Sequence, residues 1–130
     1  MKGSLTMSAV IPATAEEIWK AWLSTRGHSD MTGSPARATA RVGARFTAWD
    51  GYIMGTNLEL TPGRRIVQSW RTTDFPPDAP DSRLAVELAS TPRGTRVTLK
   101  HTSIPDGQVA GYRQGWTDYY FEPMKKYFGL

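Results

Sequence analysis

The order of apolar and polar positions divides the chain into an early strand, an early helix, a block of strands and a long final helix. From Leu5 to Ile11, alternation puts Leu5, Met7, Ala9 and Ile11 on one face of a strand, which Pro12 ends. Thr14 and Glu17 form a capping-box signature, the hydroxyl accepting the N3 amide and the carboxylate returning to the cap amide. The subsequent spacing predicts a helix from about Ala15 to Ser24, with Ile18, Ala21 and Trp22 toward a core and Gly27 as its stop. His28 to Pro35 is polar and aperiodic, which predicts a loop with at most one helical turn. Strands are expected after it at about 36–40, 44–49, 52–60, 64–73, 82–90 and 95–103.

Turn chemistry separates those strands. Asp50-Gly51, between Trp49 and Tyr52, suits a two-residue type I′ hairpin, and Thr61-Pro62-Gly63-Arg64 suits a type II turn. Arg93-Gly94 closes another hairpin, whereas Asp74 to Asp81 is proline-rich and reads as a semi-rigid surface loop. Leu84, Val86 and Leu88 share a face, as do Val97, Leu99 and His101, while Arg96, Thr98 and Lys100 point to solvent. This is the pattern of antiparallel sheet wet on its outer side. In 64–73, the set Ile66, Gln68 and Trp70 is assigned inward.

Between Asp106 and Phe128, Tyr112, Trp116, Tyr119, Tyr120, Pro123 and Tyr127 form an aromatic stripe on a helix of ordinary period. Gly107, Gly111 and Gly115 recur along its flank. Each costs about 1 kcal/mol relative to Ala inside a helix, so a close approach of backbone to sheet is expected in compensation. Pro123 is expected to kink the helix by removing the bond to the Tyr119 carbonyl, and Lys125 and Lys126 complement its C-terminal dipole. The elements assemble as an α+β helix-grip fold, order β-α-α-β6-α, a curved antiparallel sheet wrapped around the C-terminal helix. Residues 1–130 are expected to be one domain.

Composition narrows the chemistry. There is no cysteine, which removes disulfides, thiol nucleophiles and cysteine metal sites and fits a cytoplasmic setting. The net charge of +4 is scattered, without the basic stripe nucleic acid requires, and no apolar run is long enough to span a membrane. No phosphate-cradling or nucleophile-elbow motif occurs, so no cofactor is expected. The aromatic content of 11%, with five Trp, is the unexplained excess: these rings either fill the core or line a hollow.

The order of elements resembles the SRPBCC superfamily, also called START or birch-pollen-allergen-like. Within it, the chain is similar to the C-terminal domain of the activator of heat-shock protein 90 ATPase. The resemblance is carried by the run Arg-Gln-Gly-Trp-Thr-Asp-Tyr-Tyr-Phe-Glu-Pro-Met-Lys-Lys-Tyr-Phe-Gly from Arg113 to Gly129 and by Ile66-Val67-Gln68-Ser69-Trp70-Arg71. Asp50 to Gly55, Ile104-Pro105 and Ile18-Trp19 support it. It implies a helix-grip domain with a hydrophobic cavity and a co-chaperone-like role toward a heat-shock protein 90 type chaperone. The eukaryotic activator carries a further N-terminal domain, for which 130 residues are expected to leave no room.

Candidate chemistry is sparse. His101 reads as the one buried base, either orienting a ligand or satisfied within the core. His28-x-Asp30 offers two ligands to a metal but reads as polar loop, and Glu16-Glu17 serves the helix dipole, so neither a metal nor a catalytic residue is assigned. Asn57, Gln68, Trp70, His101, Tyr112, Trp116 and Tyr120 are the candidates for a ligand cavity between sheet and final helix. Arg64, Arg65 and Arg113 are candidates for a partner surface. The leading expectation is a non-enzymatic, partner-binding domain. The alternatives are a carrier or sensor of a small hydrophobic ligand and a cyclase- or hydratase-like enzyme using His101.

Overall fold

The structure, a computed structural model, describes residues 2–129. Strand β1 (Gly3–Ile11) leads into helices α1 (Ala15–Trp22) and α2 (Thr25–Thr32). Five more strands come next: β2 (Arg45–Ala48), β3 (Ile53–Thr61), β4 (Arg65–Thr72), β5 (Ser82–Thr91) and β6 (Gly94–Ile104). The chain ends in α3 (Val109–Trp116), a π-helical turn (Thr117–Phe121) and α4 (Glu122–Phe128). All six strands form one antiparallel sheet in the order β1-β6-β5-β4-β3-β2, curved around the C-terminal helical segment in a helix grip. Among the described residues, no helix is long and apolar enough to cross a membrane.

Local chemistry accounts for most element ends. The capping box forms in full, Glu17 N donating to Thr14 Oγ1 at 3.1 Å and Thr14 N donating to Glu17 Oε1 at 3.0 Å. At the β2–β3 turn, Asp50 and Gly51 have φ of 55° and 89°, as a type I′ turn requires, and Tyr52 N donates to Trp49 O at 3.1 Å. Gly63 adopts φ 70° in the turn after β3, where Arg64 N donates to Thr61 O at 3.0 Å. The inward phases of β4, β5 and β6 obey the alternation: Ile66, Gln68 and Trp70, Leu84, Val86 and Leu88, and Val97, Leu99 and His101 are all buried.

Three expectations need correction. The segment read as a loop from His28 is helix α2. Ser24 caps it by accepting Gly27 N at 2.9 Å, and Gly33, at φ 82°, ends it. Gly27 therefore opens α2 rather than closing α1. It is required there because a Cβ would stand 2.6 Å from the Ala21 Cα, so the glycine lets the two helices meet at close range. Second, 36–40 is not a strand. Only Arg37 bridges Thr47, and the next residues are held by a side chain instead, Asn57 Nδ2 donating to Thr39 O at 2.8 Å and to Arg41 O at 3.0 Å.

Third, the final helix does not keep one period. The π turn inserts an extra residue ahead of Pro123, so the ring sits in the first turn of α4, where its missing N–H costs nothing. The insertion also rotates the succeeding turns by about one residue's angle. Phe121 and Met124 thus become buried, while Tyr119 and Tyr127, assigned to the inward stripe, are 55% and 42% exposed.

Candidate functional site: an aromatic pocket beside the C-terminal helix

Strand β4 projects Trp70 and Thr72, two residues apart, toward the C-terminal helix, while the β2–β3 turn brings Trp49 and Tyr52 to the same side. Opposite them stand Tyr112, Trp116 and the π-turn residues Tyr119 and Tyr120. These groups line an open pocket of about 660 Å³, which Asp74 and Gln108 close at one end. The volume lies within the range of small-molecule sites.

Gly107, Gly111 and Gly115 line the same pocket. The backbone-to-sheet approach expected of them is not made: a Cβ at Gly111 meets nothing within 4 Å, and one at Gly115 meets only Tyr119 Cδ2, at 3.7 Å. The helix-propensity cost of Gly111 and Gly115 is therefore not offset by packing, whereas Gly107 lies in the turn before α3 at φ 81°, a conformation glycine favours. What the glycines leave is a bare helix flank as one wall of the pocket.

Rings form the floor. Trp116 lies 5.0 Å from Trp70 and 5.0 Å from Tyr120, and Phe46 supports Trp70 from behind at 5.4 Å. At the polar end a closed circuit of hydrogen bonds forms. Asp74 N donates to Thr72 Oγ1 at 3.2 Å, the Thr72 and Tyr112 hydroxyls share a bond of 2.5 Å, Tyr112 donates to Gln108 Oε1 at 2.9 Å, and Gln108 Nε2 donates to Asp74 O at 2.9 Å. Tyr52 donates to Asp74 Oδ2 at 2.5 Å. Burial and then the Asp74 contact push the Tyr52 pKa up, and burial raises that of Tyr112, so both remain neutral phenols. On the far side Trp49 meets Tyr119 edge to face at 5.1 Å, and its indole Nε1 is buried without a hydrogen-bond partner.

The two histidines lie behind this pocket rather than in it. Trp116 Nε1 donates to His101 Nδ1 at 3.2 Å, so that nitrogen is bare and the proton sits on Nε2. Nε2 then donates to Ser82 Oγ at 2.7 Å, whose own proton goes to Trp70 O at 2.6 Å. His28 is the second buried imidazole, which corrects the expectation that His101 is alone. Its Nδ1 donates to Trp22 O and its Nε2 accepts from Tyr120 Oη, both at 2.8 Å. Burial lowers both pKa values to about 4. Each ring is neutral with both nitrogens engaged, and neither is placed to take a proton from a molecule in the pocket. Asp30, the other half of the His28-x-Asp30 pair, faces Arg26 at 3.8 Å.

The remaining sequence candidates separate in the same way. Trp70, Tyr112, Trp116 and Tyr120 come together on the pocket, whereas Asn57 and Gln68 are buried under the helices. Gln68 Nε2 donates to Asn57 Oδ1 at 2.9 Å and Gln68 Oε1 accepts from Trp22 Nε1 at 3.2 Å, so both amides are structural. Arg64 and Arg113 are exposed. Arg65 belongs to a network on the outer sheet face, 3.3 Å from Glu59 and 3.5 Å from Glu87. Sequence reasoning missed Trp49, Tyr52, Thr72, Asp74 and Gln108. The Asp50-Gly51 signal locates Trp49 and Tyr52 beside a tight turn, but turn chemistry does not say what the turn will face.

Residues 12–129 match the family described as "Activator of Hsp90 ATPase homolog 1-like protein". The chain belongs to this family. The human activator of 90 kDa heat shock protein ATPase homolog 1 is 26% identical over 125 residues, covering 96% of this chain and 37% of the human protein. An uncharacterized Schizosaccharomyces pombe protein is 25% identical over 119 residues, covering 91% of this chain and 35% of that protein. The chain thus spans little more than a third of these relatives. The crystal structure of an HSP90 activator from Plasmodium falciparum superposes with a TM-score of 0.87 at 24% identity, covering 97% of this chain and 96% of the other. An activator-like protein from Aeromonas hydrophila gives 0.73 at 21% identity, covering 98% and 92%. At these identities the superpositions establish the fold, which agrees with the helix grip expected from the element order.

Proposed function

We propose that this member of the activator-like family is a non-enzymatic binding domain that holds a small, largely apolar molecule between its sheet and its C-terminal helix. The observation that carries the reading is the pocket of about 660 Å³ walled by aromatic rings and a bare glycine flank. A stretch of helix that served only packing would gain stability from Ala at Gly111, where a methyl group meets no neighbour. Against an enzyme stands the state of both histidines, neutral and bonded at each nitrogen. The test is native mass spectrometry of the purified protein and of Gly111→Leu, which adds a bulky side chain to the pocket wall. A small molecule retained by the parent and lost from the variant is expected. A parent that neither retains nor takes up any apolar compound sinks the proposal.

A second reading, contact with a heat-shock protein 90 type chaperone, is supported by the family match and by the names of its relatives. Binding one conformation of the ATPase better than another would shift its population toward the active form. Stimulation of the cognate chaperone's ATPase tests it. Neither stimulation nor binding at saturating concentration would remove this reading.

A further inference from the structure

We infer that the pocket selects an organic cation, an amine or quaternary ammonium on an apolar body, through its aromatic walls and the carboxylate of Asp74. The inference rests on the reading of the pocket as a ligand site and adds the charge of the ligand. Three tryptophans and four tyrosines line the space: Trp49, Tyr52, Tyr112 and Tyr119 carry its accessible aromatic surface, with Trp70, Trp116 and Tyr120 nearly buried beneath them. An aromatic face carries negative potential, so a cation within about 6 Å of a ring centroid is attracted, most strongly by Trp and where water is excluded.

The charges point the same way. Asp74 is the single charged side chain on the lining, and among the described residues no Lys, Arg or His accompanies it. Among those residues only its Oδ2 is engaged by a side chain, accepting from Tyr52, which leaves Oδ1 open to a donor. Arg71, on β4 just ahead of Asp74, is committed elsewhere. It donates to Pro76 O at 2.9 Å and Ala79 O at 2.6 Å, pairs with Asp81 at 3.2 Å, and lies over the Phe75 ring at 5.5 Å. A carboxylate or phosphate ligand entering here would lose water and meet one anion and an aromatic wall, with no cation on the lining to compensate. The chain's excess of +4 is dispersed along the sequence with no Lys or Arg on the pocket lining, and charges beyond about 8 Å are screened in physiological salt, so the excess does not reverse the local preference.

Tryptophan fluorescence reads the pocket directly, since Trp49, Trp70 and Trp116 line it. The probes are benzyltrimethylammonium, neutral benzyl alcohol and anionic phenylacetate, each titrated at low and high salt. The cation is expected to bind about tenfold more tightly than the alcohol, with phenylacetate weakest. Asp74→Asn, at an exposed position, is expected to weaken the cation about tenfold while changing the alcohol less than about twofold. Gly111→Leu should abolish the signal from all three, which assigns it to this pocket. Equal affinities, or an order unchanged by Asp74→Asn, overturn charge selection but leave the ligand site standing. Absence of binding by every probe, with no retained molecule by mass spectrometry, overturns both.

Discussion

On the α1–α2 side of the C-terminal helix, Trp22, His28 and Tyr120 pack with ring centroids 5.0 to 5.5 Å apart, and every polar atom among them has a partner. On the β3–β4 side, Trp49, Tyr52 and Tyr119 stand around space, half-buried to exposed, with one indole N–H unmet. The same residue types are filling on one flank and wall on the other. What separates the two is the facing surface. Ile18 and Leu23 are buried in the same core cluster as Trp22 and Tyr120, whereas Gly111 and Gly115 present nothing to the second. An aromatic-rich composition therefore says little about whether a core is dry or hollow until the opposing surface is known.

The contrast can be broken most forcefully on the filled flank. Trp22→Ala removes a fully buried ring and strands both Gln68 Oε1 and its packing partners, so a loss of about 3–5 kcal/mol is expected in urea unfolding. A loss below about 1 kcal/mol would mean that this flank is as loosely packed as the other.

A smaller, pH-dependent effect belongs to the two imidazoles. Their pKa values are about 4 in the folded state, against 6.5 when unperturbed, so between those values the unfolded chain binds more protons than the folded one. Stability is then complete above the unfolded value and falls as pH drops through the window, by about 1.4 kcal/mol per pH unit for each histidine. His28→Gln and His101→Gln should each flatten the profile by one histidine's share. Variants with the parent's slope would show that the rings are not buried in the neutral form.

The smallest change sharpens the comparison on the open flank. Gly111→Ala is expected to raise stability by about 0.5–1 kcal/mol while weakening ligand binding, because the methyl group improves the helix and enters the pocket. A loss of stability would show that the flank is packed after all.

Much of the architecture is readable from alternation and turn chemistry, because those signals are local. The inward phases of β4 to β6, the capping box and the turn at Asp50-Gly51 depend on neighbours within a few residues. Helix α2 escapes such a reading since its sequence, Thr-Arg-Gly-His-Ser-Asp-Met-Thr, has one large apolar side chain and a glycine that looks like a terminator. Its burial comes from His28 and Met31, and a histidine counts as polar in any hydropathy pattern. The π turn is hidden for a different reason: a fixed period of 3.6 residues assigns Tyr119 inward and Phe121 outward, and one inserted residue reverses them. The pocket is half visible. Its helical half lies on the aromatic stripe, while its sheet half depends on where a turn flanked by Trp49 and Tyr52 will face.

The ring of bonds joining Thr72, Asp74, Gln108 and Tyr112 also bears on the timing of exchange. It fastens the beginning of α3 to the end of β4, while the other end of the helical segment is held by Trp116, Tyr120 and Met124 in the core. This clasp can unfasten with the distant end still seated. Amide exchange around it is then set by a local opening of a few hydrogen bonds and is independent of the global unfolding rate.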